Sequence, residues 1–458
     1  MGLSFKEKYS FGIGALGKDL CYAIVSSYLM IYFTDSIGLA PAFVGSLFLV
    51  ARLWDAVNDP AMGMIVDNTK TKWGKFRPWI LIGTFINAVV LVFLFKRPAG
   101  LEGSSLYAYY SVMYILWGMT YTIMDIPYWS MIPTLATTKE DREKISVVPR
   151  IFASLGGLTV TTFGIALVNK LGNGNQIKGF EYFALGIVII FIISTIVTCI
   201  NVKEKTQVQV NNEKVNIKQA FNILKQNDQL LVFIGIVLAY NLAMQLAGGA
   251  AIYYFKYVAG KESLFSLYSF FKVAEIGGLM LFPVVTRKIG RQQVFRMATI
   301  LPMFGLITLF ISGLIAPQSI LFISVSAVLL NLGSGFLLGS TTVMLADIVD
   351  YGEYKLGSRN ESIIFSAQTL LVKLASALSG WLIGVGLSLI GYVAGAAVQS
   401  NITIIGIRVI MTIIPSIVAL VMYVIYKSKY KINGSFHDEI LQVIGSRKKV
   451  KVLNINNK

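Results

Sequence analysis

Along the chain, apolar residues run almost unbroken for about 20 positions at a time, give way briefly to polar ones, and resume. A run of that length crosses a hydrocarbon core of ~30 Å as one helix. Barrel strands would alternate apolar and polar positions instead, and these runs do not. The pattern predicts twelve transmembrane helices, over residues 10–34, 41–66, 78–96, 107–134, 145–170, 180–201, 230–256, 262–286, 295–315, 319–348, 363–388 and 404–427. The first run contains Lys18 and Asp19 and has no small-residue cleavage site, so it reads as a retained helix.

The longest polar insert, residues 201–229, divides the runs six and six. The expected organisation is a six-helix bundle over 1–200, a connector over 201–229 with an amphipathic helix along the membrane surface, a second bundle over 230–430 and a tail over 431–458. Six helices on either side of a long inner loop is the layout of the major facilitator superfamily, whose halves are related by a pseudo-two-fold axis along the membrane normal. Equivalent loops agree with that. "VDNTKTKWGKFRPW" follows the second helix and "TRKIGRQQVFR" the eighth, each placing cations where they oppose the negative end of a helix dipole. The fold class is therefore an all-α membrane protein, two six-helix pseudo-symmetric bundles of major facilitator type.

Composition agrees: 55% of residues are hydrophobic and only 14% charged, against about 25% in soluble domains. The net charge of +17 invites a nucleic-acid reading, but its distribution removes it. Of the 40 Lys and Arg, 28 fall in segments on one side and six on the other, so the bias reports topology, with both termini cytoplasmic. Cys21 and Cys199 lie inside apolar runs and read as small core residues. The single histidine, His437, is in the polar tail, which excludes histidine catalysis or proton relays within the membrane. No nucleophile–base or metal constellation of a membrane enzyme is evident, and no cofactor is called for.

A charge at the bilayer centre costs ~2.5–3.5 kcal/mol and marks a pathway or a partner. The first half holds Lys18, Asp19, Arg52, Asp55, Asp59, Asp125 and Arg150; the second holds Lys272, Glu275, Lys373 and Arg408, with Asp347 and Asp350 near an inner helix end. Asp55 and Asp59 are one turn apart on one face and cannot both stay ionised alone. Either one is protonated or a cation sits between them. Asn58 adds an amide oxygen and Pro60 frees the carbonyl of Ala56. Oxygen ligands of these kinds suit a hard cation such as Na⁺; a salt bridge to Arg52 or Lys373 is the competing reading.

In "WGMTYTIMDIPYWSMIP", Tyr121, Asp125 and Trp129 share a stripe with Thr122 beside it. A carboxylate between aromatics suits a sugar, accepting hydrogen bonds from hydroxyls while an indole covers the ring's C–H face. Aromatic packing is the structural alternative. Lys18 and Asp19, being adjacent, are expected to point to different neighbours. Arg150 either faces the solute or partners Asp19 or Asp125. Thr369 and Lys373 share one face with Gln368 adjacent, and Lys373 is expected to reach the carboxylates. Lys272 and Glu275, three apart, are expected to pair.

The segments "GALGKDL", "LFLVARLWDAVNDPAMG", "WGKFRPWILIGT", "YILWGMTYTIMDIPYWS", "ADIVDYGEYK" and "AQTLLVK" resemble, in order, those of the glycoside–pentoside–hexuronide:cation symporter family, from about Phe5 to Tyr430. The resemblance implies a carrier in a bacterial inner membrane that imports sugar, an α-galactoside such as melibiose, with Na⁺, Li⁺ or H⁺. It implies that Asp55, Asn58, Asp59 and Thr122 hold the cation. It implies that Lys18, Asp19, Tyr121, Asp125, Trp129 and Arg150 hold the galactosyl part of the sugar, with Lys373 as a linking charge; beside Lys373, Gln368 and Thr369 are counted as sugar-binding candidates from their own place on that helix. Two departures stand where the family pattern has aromatics: Ser26 and Leu338. Losing those walls alters what meets the second sugar unit or aglycone. The implied partners are a sugar, a monovalent cation and the bilayer; no motif identifies a cytoplasmic regulatory protein. A lysolipid carrier would need an apolar cavity, and a non-transporting sensor would need a signalling domain, so both rank behind a symporter.

Overall fold

A computed structural model describes residues 4–135, 139–204, 226–357 and 361–456. Most of the connector, including the amphipathic helix expected there, lies outside the described residues. All regular structure among the described residues is helical. In chain order the long helices are α1 (Phe5–Ile37), α2 (Pro41–Asp67), α3 (Arg77–Leu94), α4 (Gly103–Ser130), α5 (Lys139–Gly172), α6 (Gln176–Asn201), α7 (Asp228–Val258), α8 (Leu264–Ile289), α9 (Arg291–Ile315), α10 (Ile320–Leu356), α11 (Glu361–Leu389), α12 (Asn401–Lys429) and α13 (Ser435–Asn456). Each predicted span has its helix. Among the described residues, ten helices are long and apolar enough to cross a membrane. The other two, α2 and α4, are as long but more polar, and they carry most of the candidate site.

Local signals set the ends. Ser4 caps α1, its hydroxyl accepting from the Glu7 N–H at 3.2 Å while the Glu7 carboxylate accepts from the Ser4 N–H at 2.8 Å. The last turn of α1, Tyr32–Ile37, widens to a π turn and stops at Gly38, whose φ of 89° favours glycine. Pro41 then opens α2, where a missing N–H costs nothing. The same widened turn, Tyr254–Val258, ends α7, the helix that opens the second set of six.

The chain forms two compact units. The first comprises residues 1–210 together with 251–270 and 380–406; the second comprises 211–250, 271–379 and 407–458. Within hydrocarbon, helices associate by close packing, which small residues permit. In the first unit, a Cβ on Gly156 of α5 would lie 2.8 Å from the Leu16 carbonyl of α1, so the two backbones touch. At one end of this unit Asp35, its side chain 1% exposed, takes Lys256 Nζ at 2.6 Å, the Thr34 hydroxyl at 3.0 Å and the hydroxyls of Tyr257 and Tyr392. The sequence places Asp35 just past the predicted end of the first helix, so nothing marked it as buried. Burial, with Asp35 nearby, pushes the Glu262 carboxyl up despite the opposing charge of Lys256.

The second unit's core brings Phe233, Phe295, Phe336, Ile348 and Tyr426 together with Ile440 and Ile444 of α13. The tail is thus a docked helix and not only a polar extension. His437 meets Asp347 at 3.2 Å, and Arg291 meets the other Asp347 oxygen at 3.1 Å. Large apolar side chains such as Val50, Ile193, Ile200 and Leu314 remain exposed, as they must where lipid is the solvent.

Candidate functional site

Besides the cluster around Asp35, two polar clusters in the first unit gather candidate residues. The first is built on α1 and α4. Lys18 is 3% exposed, and its Nζ lies 2.8 Å from an Asp125 oxygen and 3.0 Å from an Asp19 oxygen. The expectation that Lys18 and Asp19 point to different neighbours is not met. The four-carbon lysine stem folds its charge back beside its neighbour. Lys18 also donates to the Tyr121 hydroxyl at 3.4 Å and stands over the Trp129 ring at 4.8 Å. The Trp129 indole N–H donates to the same Asp125 oxygen at 3.1 Å. Four of these residues are thereby one hydrogen-bonded set, with Asp19 joined through the lysine.

Their positions are enforced from behind. Asn87 of α3 donates to the Trp117 carbonyl at 2.9 Å and to the Thr120 hydroxyl at 2.8 Å, which locks α4 against α3. Cys21 is buried and free, its thiol 3.2 Å from the Asn87 amide oxygen, in keeping with a small core residue. Tyr128, buried, stacks on Phe11 and donates to the Phe11 carbonyl, fixing α4 to α1. Asp19 and Asp125 keep a fraction of their side chains exposed, 24% and 28%, so oxygen lone pairs remain for a solute. Two carboxylates held by one ammonium, with an indole and phenols around them, can accept several hydroxyl protons from a polyol and cover its C–H face.

Arg150 is exposed and forms no ion pair with Asp19 or Asp125. Lys18 takes the role of partner that the sequence left open for Arg150. Ser26 is also exposed.

The second cluster lies where α2 meets α4. Asp55 is 5% exposed and pairs with Arg52 at 2.9 Å, one of the two partners the sequence offered. A Cβ on Gly118 of α4 would come within 3.5 Å of the other Asp55 oxygen, so α4 backbone closes over it. One turn along, Asp59 accepts from the Thr122 hydroxyl at 3.0 Å. The Asn58 amide nitrogen, one residue before Asp59, is buried without an acceptor. An amide so placed turns over at little cost and then presents its oxygen. Asp55, Asp59, Asn58 and Thr122 can therefore offer carboxylate, amide and hydroxyl oxygens to one small hard cation. Among the described residues no three of His, Cys, Asp and Glu gather as a transition-metal site would need.

Tyr22, which no sequence signal singled out, joins the clusters. Its hydroxyl accepts from Arg52 at 3.4 Å, and its ring lies 5.6 Å from Tyr121. A contiguous path runs from Asp55 through Arg52, Tyr22 and Tyr121 to Lys18. Gln368, Thr369 and Lys373 are in the second unit on α11, where Gln368 and Lys373 are half-buried and Thr369 is exposed. Leu338 of α10 is 36% exposed.

Three comparisons bear on what these clusters serve. A family model described as MFS/sugar transport protein matches residues 10–434. An isoprimeverose transporter of Lactiplantibacillus pentosus is 31% identical over 86% of this chain and 82% of its own. A lactose permease of Lactobacillus delbrueckii subsp. bulgaricus is 28% identical over 95% of this chain and 72% of its own. Among solved structures, a D-xylose–proton symporter superposes with a TM-score of 0.66 at 13% identity, covering 91% of this chain and 97% of its own, which speaks for the fold alone.

Proposed function

We propose, on the premise that this chain belongs to the MFS/sugar transport protein family, that it imports an α-galactoside such as melibiose by alternating access, coupled to Na⁺, Li⁺ or H⁺. The chain is a sugar symporter of that family and not an enzyme. The observation that carries the finer reading is the Lys18–Asp19–Asp125 set with Trp129 and Tyr121 around it. Carboxylates buried at that depth serve a solute with many hydroxyls, and a lysolipid's apolar body finds no match there. Arg150, Gln368, Thr369 and Lys373 are further proposed sugar ligands.

The cation is a co-transported substrate in this reading. Arg52 pairs with Asp55, and the Thr122 hydroxyl donates to Asp59. A monovalent ion, or a proton, entering between the two carboxylates competes with Arg52 for Asp55. The displaced guanidinium changes its contact with Tyr22, and Tyr22 packs on the Tyr121 that touches Lys18. Cation binding and sugar binding are therefore joined by a chain of touching side chains, and linkage requires each to alter the affinity of the other equally. The loaded carrier then rocks open to the other side. An inside-negative potential adds ~2.3 kcal/mol per charge per 100 mV. In this reading the carrier lies in a bacterial inner membrane with both termini cytoplasmic, which the excess of Lys and Arg in the proposed inner segments supports.

The test is counterflow of labelled melibiose in vesicles against a panel of α- and β-galactosides, glucosides, pentosides and uronides, with and without Na⁺. Competition by α-galactosides that sharpens with Na⁺ is expected. Competition only by pentosides or uronides would move the substrate to another sugar class. Transport indifferent to every imposed ion or pH gradient would remove the coupling.

A further inference from the structure

Several charges of the second half lie outside both clusters. Among the described residues Lys272 and Glu275 do not form the expected pair. Residues three apart meet on a continuous helix, but α8 is interrupted between Phe270 and Val273. Arg408 of α12 is the more unusual, because it is only 6% exposed. Among the described residues its guanidinium has no ion-pair or hydrogen-bond partner. Nε is enclosed without an acceptor, whereas the two terminal nitrogens, equally unpartnered, are not enclosed. The guanidinium stands over the Phe310 ring of α9, 5.7 Å from its centre.

A guanidinium withdrawn from water without a counter-charge is costly. Neither α9 nor α12, the helices that carry the two side chains, contains an Asp or Glu. The negative end of the α9 dipole, five residues past Phe310, lends about half a charge. On α9, Ile307 and Leu314 share the face of Phe310 and are 40% and 59% exposed, so that face meets lipid. Arg408 is the eighth of 29 residues in its span. A helix of that length is ~43 Å long and outlasts a ~30 Å hydrocarbon core by ~7 Å at each end, which puts the Arg408 backbone only ~4 Å inside the core. Helical side chains lean toward the N-terminus, and a long arginine stem carries its charge outward by that route to the level of the lipid phosphates. Immediately after Arg408, α12 widens to a π turn, Val409–Ile413, a departure frequent at functional sites.

We propose that Arg408, seated on Phe310, binds the phosphodiester of an anionic phospholipid of the phosphatidylglycerol kind. A guanidinium grips phosphate through two parallel hydrogen bonds, and an aromatic ring beneath it fixes the plane of the fork. The choice of headgroup follows from charge. The ammonium of an ethanolamine head would be repelled by Arg408 and find no carboxylate on either helix, whereas a glycerol head adds no positive charge. Arg408 and Phe310 both belong to the second unit, and the site does not depend on which sugar is carried.

The purified full chain, stripped of lipid in detergent, is titrated with phosphatidylglycerol, phosphatidylethanolamine and inorganic phosphate. Binding is read by native mass spectrometry, with thermal melting as the check on folding. The native chain is expected to retain phosphatidylglycerol in preference to phosphatidylethanolamine. Loss of a charged hydrogen-bonding fork predicts at least about tenfold weaker phosphatidylglycerol binding by Arg408→Gln. Undiminished binding by that variant overturns the proposal, as does equal retention of the two lipids by the native chain. Displacement of the lipid by an equal concentration of inorganic phosphate also overturns it, assigning the site to a free anion. A second measurement needs no variant: a phosphatidylglycerol analogue with a photoreactive headgroup should label peptides containing Phe310 or Arg408. Labelling confined to other peptides overturns the proposal, and none of these outcomes bears on the transport function.

Discussion

Replacing Lys18 by Gln removes the one cation that holds two carboxylates inside the first unit. Its Nζ lies 2.8 Å and 3.0 Å from them, and its side chain is 4% exposed. At an effective dielectric constant of about 20, each contact amounts to roughly 5–6 kcal/mol of attraction. Desolvation of the ammonium offsets much of that, and truncating one member of a buried charged set typically costs ~3–5 kcal/mol. Asp19 and Asp125 would then face each other uncompensated, and the geometry that presents their oxygens to a sugar would be lost. The expected result is a sugar Kd weakened by about 100-fold or more, taking the lower end of that range. The assay is titration of purified protein, followed by calorimetry and by tryptophan emission, since the Trp129 indole donates directly to Asp125. Cys21 labelling would be a poorer reporter, because that thiol is buried behind the site. Sugar affinity within twofold of the native value would refute the assignment of this cluster as the sugar site.

Other substitutions separate the remaining parts. Asp59→Cys should abolish stimulation of uptake by Na⁺ while leaving measurable sugar binding; undiminished Na⁺-driven uptake in vesicles would clear Asp59 of that role. Tyr22→Leu removes the ring and hydroxyl between Arg52 and Tyr121, and should reduce the Na⁺-dependent gain in sugar affinity severalfold, out of a coupling of ~1–3 kcal/mol. A coupling unchanged in paired titrations with and without Na⁺ would argue against this path. Asp35→Ala leaves Lys256 without its carboxylate in a buried cluster, for which ~3–5 kcal/mol is expected, seen as a lowered melting temperature in detergent; a melting curve superimposable on the native one would contradict it.

The spans were legible because a bilayer demands long apolar runs, and few other constraints give such long-period signals. The site was legible for the opposite reason: Asp55, Asp59 and Asp125 contradict those runs, and residues one turn apart on a helix are bound to share a face. What escaped depended on side-chain reach and on small departures from regular helix. Lys18 turned toward Asp19 because its stem is long enough to do so. Lys272 and Glu275 parted because α8 breaks at Phe271–Lys272, where neither Pro nor Gly announced a break. Asp35 resembled a loop residue until the widened last turn carried α1 past it. Tyr22 was one aromatic among many, and only its position between two charged sets distinguishes it.

The modest hydropathy of α2 and α4 bears on how the chain is made. A nascent helix partitions from the translocation machinery into lipid according to its own transfer energy, and these two are less apolar than α3 between them. Each is followed or preceded by α3, which is strongly apolar, so insertion as hairpins with α3 lets one segment carry the other. The acidic groups of α2 and α4 thus bear on biogenesis as well, and ribosome-bound chains truncated just after α2 should remain extractable by alkali until α3 has emerged.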